Sequence, residues 1–211
     1  METKEAATIK IHVTGFKAFH GVPENPTEAI VSKLKEFISR RGLPSGVSLE
    51  SCTILETAGE GALPMLYQVL GSGIGEQVIW VHLGVNNEGQ KFAIEHQAVN
   101  EATFRCPDEL GWQPQKLQII PEDGDISRSR QVIYKSLLFS PNSNFQCQKN
   151  ISTNFFLGRF VCNYVYYHSL RFAEKKGHKS LFVHVPLFSV IDEDTQLQFV
   201  ASLFEAFVST S

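Results

Sequence analysis

Short apolar runs of strand length alternate along this chain with longer segments whose apolar residues recur every three or four positions, and that alternation constrains the fold more than any other feature. Strand and helix in repeated succession argue for a largely parallel sheet covered by helices. Residues 9–14 alternate and end at Gly15, which reads as a first strand entering a loop. Asn25 can cap a helix, Pro26 suits its first position, and Glu28 stands where a capping box wants it. Ile30, Leu34, Phe37 and Ile38 follow at helical spacing until Arg40, Arg41 and Gly42 close the segment. A strand over 47–55, a helix over 63–70 and a strand over 77–83 continue the pattern, so the expected fold class is α/β.

Residues 92–99 read as a further strand, and 101–125, with three prolines and two glycines, as a long loop of the kind that carries function. From Gly158 the pattern turns helical, with Phe160, Val161, Tyr164, Val165, Leu170 and Phe172 on one face and Gly177 after two lysines as its end. Residues 179–186 form a continuously apolar strand suited to the middle of a parallel sheet, and 192–208 a last helix. The run from Gly71 to Gly75 precedes a strand instead of following one, so it reads as a turn and not a nucleotide loop. Residues 128–157 differ from all of this. They are crowded with Ser, Asn and Gln, carry no sustained period, and are expected to be irregular.

A chain of 211 residues suits one domain, here 9–211, with residues 1–8 as a flexible tail. The net charge of -3 and the scattered Lys and Arg leave no basic surplus for nucleic acid. The polar, acidic start lacks the form of a secretion signal and no apolar run reaches membrane-spanning length, which points to the cytoplasm and away from membranes. Cys52, Cys106, Cys147 and Cys162 form no CxxC pair and read as thiols. The seven histidines make no zinc-like pattern, so no metal is expected.

Chemistry then concentrates on a few residues. Cys162 falls in the first turns of its helix, where free N–H groups and the positive end of the macrodipole favour a thiolate. His184 interrupts an apolar strand near its carboxyl end, where ligand sites of open α/β sheets gather, and an imidazole there can serve as base to a thiol. Glu95 sits in an apolar, strand-like segment, where a carboxylate is costly without a partner such as imidazole. Arg105 could answer an anion or a carbonyl. Each also has a plain structural reading: a small apolar filler, a hydrogen-bonded core histidine, an exposed acid and a solvated arginine.

With these residues in view the chain resembles the pyroglutamyl peptidase I family of cytosolic cysteine exopeptidases. Val13-Thr14-Gly15-Phe16-Lys17-Ala18-Phe19 with Asn25-Pro26-Thr27 is similar to its opening element. Leu83-Gly84, Glu95, Asn100, Arg105 and Pro107-Asp108 resemble the block around its catalytic glutamate. Gly158-Arg159-Phe160-Val161-Cys162-Asn163 resembles its nucleophile motif, and Phe182-Val183-His184-Val185-Pro186 its histidine strand. The resemblance implies an α/β/α sandwich with a mostly parallel central sheet. It implies Cys162, His184 and Glu95 as catalytic residues, and Phe16, Phe19, Arg105 and Phe160 as substrate-binding ones. It also implies a thioacyl intermediate, no cofactor, and peptides with an amino-terminal pyroglutamate as partners; a homo-oligomer stays open.

The departures are Ala18, where the family has proline between the two phenylalanines, Lys17 and His20, where it often has small or acidic residues, Val85, where bacterial members often have glutamine, and residues 128–157. An irregular segment before Gly158 that displaced Cys162 from His184 would leave a pyroglutamyl peptidase-like binding protein instead of an enzyme, because a misplacement of about 1 Å costs roughly a hundredfold in rate. A hydrolase of other acyl groups is the third reading.

Overall fold

A computed structural model describes residues 8–129, 151–155 and 158–208. Six strands form the main sheet in the order β2-β1-β3-β8-β4-β7. These are β1 (Ile9–Phe16), β2 (Val47–Leu55), β3 (Val78–Val85), β4 (Phe92–Glu95), β7 (Ile151–Phe155) and β8 (Lys179–Val185). The first four in that order are mutually parallel, while β4 runs antiparallel to β8 and carries β7 parallel to itself at the edge. The mostly parallel α/β sheet expected from the alternation is present.

Alternate residues of a strand face opposite sides of the sheet. Ile9, Ile11 and Val13 of β1, Val81 and Leu83 of β3, and Val183 and Val185 of β8 join one apolar layer, against which α1 (Pro26–Arg41) and the last helix, α4 (Glu193–Val208), pack. Trp80 and Phe182 point the other way, into a second layer built with α2 (Gly59–Ser72) and α3 (Val161–Lys176). Both faces of the central strands are therefore buried, which is why β8 reads in sequence as an unbroken apolar run. His184 shares the face of Phe182, toward α3.

Three expectations change at the boundaries. The strand read over 92–99 is two strands: β4 ends at Glu95, and β5 (Gln97–Val99) leaves the main sheet to pair antiparallel with β6 (Ser127–Ser129). The helix expected from 63 begins at Gly59, because its cap comes from a distant loop: the Gly59 N–H donates to the Asp108 carboxylate at 2.9 Å. The irregularity expected over 128–157 is overturned for Ile151–Phe155, which pairs with β4 through Phe92–Ile151 and Glu95–Phe155. An edge strand is recruited through its backbone and needs no alternating apolar signal. Residues 130–150 and 156–157, and the tail before Thr8, lie outside the described residues.

Candidate active site

The face of the sheet below α3 brings the separated candidates together. In register His184 stands between Gly84 of β3 and Ala93 of β4, and Glu95 lies two residues beyond Ala93 on the same face. The Glu95 carboxylate accepts from His184 Nδ1 at 3.0 Å, and both side chains are almost wholly buried. The Phe182 ring lies against the imidazole at 4.7 Å between centroids. Burial lowers the His184 pKa from its ordinary value, and the Glu95 carboxylate opposes part of that fall. Bonded to Glu95 through Nδ1–H, a neutral imidazole keeps Nε2 as its acceptor.

Cys162 is the second residue of α3. Phe160 precedes the helix with extended backbone and gives no side-chain cap, so no side chain of its own competes for the first-turn amides. Gly158, with φ of +47°, adopts a left-handed turn that favours glycine and leads the chain into that helix. Asn163 then ties the helix start to β5: its Oδ1 accepts from Val99 N at 2.8 Å, and its Nδ2 donates to the carbonyls of Val99 and Glu101, both at 3.0 Å.

Burial opposes the thiolate that the helix terminus favours. Burial, reinforced by the Glu95 charge, pushes the Cys162 thiol up to about 12, against which Arg105 acts in the lowering direction. A helix terminus contributes only ~0.3–1 kcal/mol, less than one pKa unit, so burial wins. Cys162 itself is only part-buried.

Cys162 and His184 share the wall of a cleft of about 280 Å3, whose other walls include Phe16, Phe19, Arg105 and Phe160. All the sequence-predicted site residues except Glu95 meet there, and Glu95 stands directly behind His184. Phe160 packs on Phe104 at 4.6 Å and carries the Arg105 guanidinium 5.3 Å above its ring. Among the described residues the thiol and the imidazole make no hydrogen bond to each other; such pairs are often loose until substrate is bound.

Sequence reasoning missed Asn25 and Thr57, which also line the cleft. Asn25 was expected only as a cap, and it does accept from Thr27 N at 3.0 Å, but its Nδ2 also donates to the Lys17 carbonyl at 2.9 Å. Thr57 donates to the same carbonyl at 2.7 Å. Glu28 does not close a capping box; its carboxylate accepts from Ala18 N at 2.8 Å instead. The loop bearing Phe19 is thus held from α1 and from the start of α2. The 101–125 passage is equally fixed. Asn100 accepts from Ile120 N at 2.8 Å and donates to the carbonyls of Ile120 and Gly124, while Asp108 accepts from the amides of Leu110 and Trp112.

Among the described residues no helix is long and apolar enough to cross a membrane, and no group of three or more His, Cys, Asp or Glu side chains could hold a metal ion. The pyroglutamyl peptidase family model matches residues 9–204. A pyrrolidone-carboxylate peptidase of Enterococcus faecalis is 28% identical over 191 residues, covering 89% of this chain and 84% of its own. One from Pyrococcus furiosus is 28% identical over 183 residues, covering 84% and 81%. Among solved structures, the pyrrolidone carboxyl peptidase of Fervidobacterium islandicum superposes with a TM-score of 0.80 over 96% of this chain and 99% of its own, at 23% identity. That of Thermococcus litoralis gives 0.79 over 96% and 94%, at 22%. The family match runs through every strand and helix that builds the cleft, and the chain belongs to the pyroglutamyl peptidase family of hydrolases.

Proposed function

We propose that this protein is a cytoplasmic cysteine omega-peptidase that removes amino-terminal pyroglutamate from peptides, with Cys162 as nucleophile, His184 as general base and acid, and Glu95 as the group that orients the imidazole. The observation that carries the reading is the buried 3.0 Å bond between Glu95 and His184 Nδ1, beside a cysteine at an uncapped helix start in the same cleft. No cofactor is required.

In the first step Nε2 takes the thiol proton as sulfur attacks the pyroglutamyl carbonyl, so the nucleophile is generated within the encounter and not stored as thiolate. The amides of the first turn of α3 stabilise the oxyanion. The tetrahedral species collapses as the imidazolium returns its proton to the leaving amine, breaking the C–N bond and leaving a thioester on Cys162. Water, deprotonated by the same imidazole, then releases pyroglutamate and restores the thiol. Phe16 and Phe19 supply an apolar wall for the flat lactam ring, and Asn25 and Thr57 the nearby polar groups.

Release of a fluorescent amine from its pyroglutamyl amide tests the reading. Activity is expected in the folded protein and should vanish in Cys162→Ala; a folded protein that cleaves neither this amide nor pyroglutamyl peptides would sink it.

A further inference from the structure

Among the described residues the cleft is lined by two guanidinium groups, Arg105 and Arg159, and by no aspartate or glutamate, in a protein whose formal charge is -3. Arg105 is exposed, rests on the Phe160 ring, and has no carboxylate partner among the described residues. Arg159 keeps 46% of its side-chain surface and meets one carboxylate oxygen, of Glu101, at 3.2 Å; Glu101 itself stands outside the cleft wall.

The pyroglutamyl ring is uncharged: its carbonyls can accept hydrogen bonds from an arginine, but the amino-terminal end of such a substrate supplies no counter-charge for two of them. The complementary charge must come from the other side of the scissile bond. We infer that the cleft selects peptides with a carboxylate just beyond that bond, either an acidic side chain or the free carboxyl end of a very short substrate, held by Arg105 and Arg159. This rests on the pyroglutamyl peptidase reading and deepens it.

The test compares kcat/KM for carboxy-amidated pyroglutamyl peptides that differ only in Glu, Gln or Lys at the first leaving position, together with pyroglutamyl-alanine as free acid and as amide. Glu over Lys by about tenfold is expected at low ionic strength, falling toward unity near ~1 M salt. The free acid should exceed its amide in the same direction. Arg159→Gln should shrink both ratios while the protein still releases the uncharged fluorescent amide, and Arg105→Gln should shrink them further. Equal rates for Glu and Lys peptides, a Lys preference, or ratios untouched by both substitutions would overturn the inference.

A protein that cleaves none of these substrates refutes the peptidase reading. Charge selection is then read from binding of the same peptides to Cys162→Ala. Tighter binding of the Glu than the Lys peptide upholds the carboxylate preference, and equal binding refutes it.

Discussion

A Cβ atom placed on Gly84 would stand 2.9 Å from Nε2 of His184, closer than real Cβ contacts come, and 2.7 Å from the Phe182 ring. The two residues are register partners across β3 and β8, so the missing side chain at 84 is the space in which the imidazole lies. Gly84→Ala must therefore move the base or tilt the ring beneath it. The expected result is a folded protein whose kcat falls roughly a hundredfold with a smaller change in KM, since orientation and not binding is disturbed. Wild-type kcat and an unchanged acid limb in a folded Gly84→Ala protein would show that the imidazole does not depend on that space.

Glu95 acts on both reacting groups in the same direction, raising the pKa of His184 and of the Cys162 thiol. Removing the carboxylate takes away both effects. In Glu95→Ala, kcat should drop by roughly 10⁴, as when the orienting carboxylate of a triad is replaced. Inactivation of the protein by iodoacetamide, which reads the thiolate, should move to lower pH. An inactivation profile that stays in place would separate Glu95 from the thiol.

His184 is lowered below its ordinary 6.5, and it must be neutral to accept the Cys162 proton. The acid limb of kcat/KM in the unmodified protein is therefore expected below pH 6.5, with the rate lost as pH falls through it. The alkaline side should carry no loss from thiol ionisation near neutrality, because that thiol titrates far higher. A pH profile centred on an acid limb above 7 would contradict a buried neutral imidazole.

Much of this site could be read from the chain because its chemistry stands out from its surroundings. A glutamate and a histidine inside apolar strands are costly without a partner, and a cysteine in the first turn of a helix sits where backbone N–H groups are free. The pairings that hold the walls were illegible for the opposite reason. Asn163, Asn100 and Asp108 are ordinary polar residues in loops or on a helix, and only the folded path reveals that each one's hydrogen bonds reach backbone 49 to 64 or about 20 residues away. Boundaries failed where a partner replaced a local signal, as at the start of α2, capped by Asp108, and at β7, an edge strand joined through its backbone. At Cys162 burial, which a linear pattern does not report, raises the thiol against the pull of the helix terminus.

Asn163 spends its whole amide on the backbone of Val99 and Glu101. Asn163→Ala leaves those groups without their partner beside the nucleophile, a loss of about 1–3 kcal/mol in stability. Asn163→Asp keeps the acceptor for Val99 N but puts an anion against two carbonyls, so it should be at least as harmful. Urea denaturation of the two variants checks this order; an aspartate variant as stable as wild type would mean that the carbonyl contacts carry no weight.

One buried histidine, His82, takes no part in the chemistry. His82 is fully buried in β3 between Thr14, whose hydroxyl lies 2.8 Å from Nδ1, and Ser169, 2.7 Å from Nε2, with Ser180 next in the chain at 2.8 Å. Burial without a charged partner depresses its pKa to about 3. A depressed folded value means that the unfolded chain binds the proton more readily, so the contribution is complete above about 6.5 and is lost as pH falls toward 3. At pH 5 the linkage is worth about 2 kcal/mol, from roughly one and a half units at 1.36 kcal/mol each. His184 titrates in the same direction and adds to the slope. Chemical denaturation at pH 7 and pH 5 should show stability falling, and His82→Gln, destabilised at pH 7, should show a shallower fall between them. An equally steep fall in that variant would assign the acid sensitivity to other groups and refute the role given to His82.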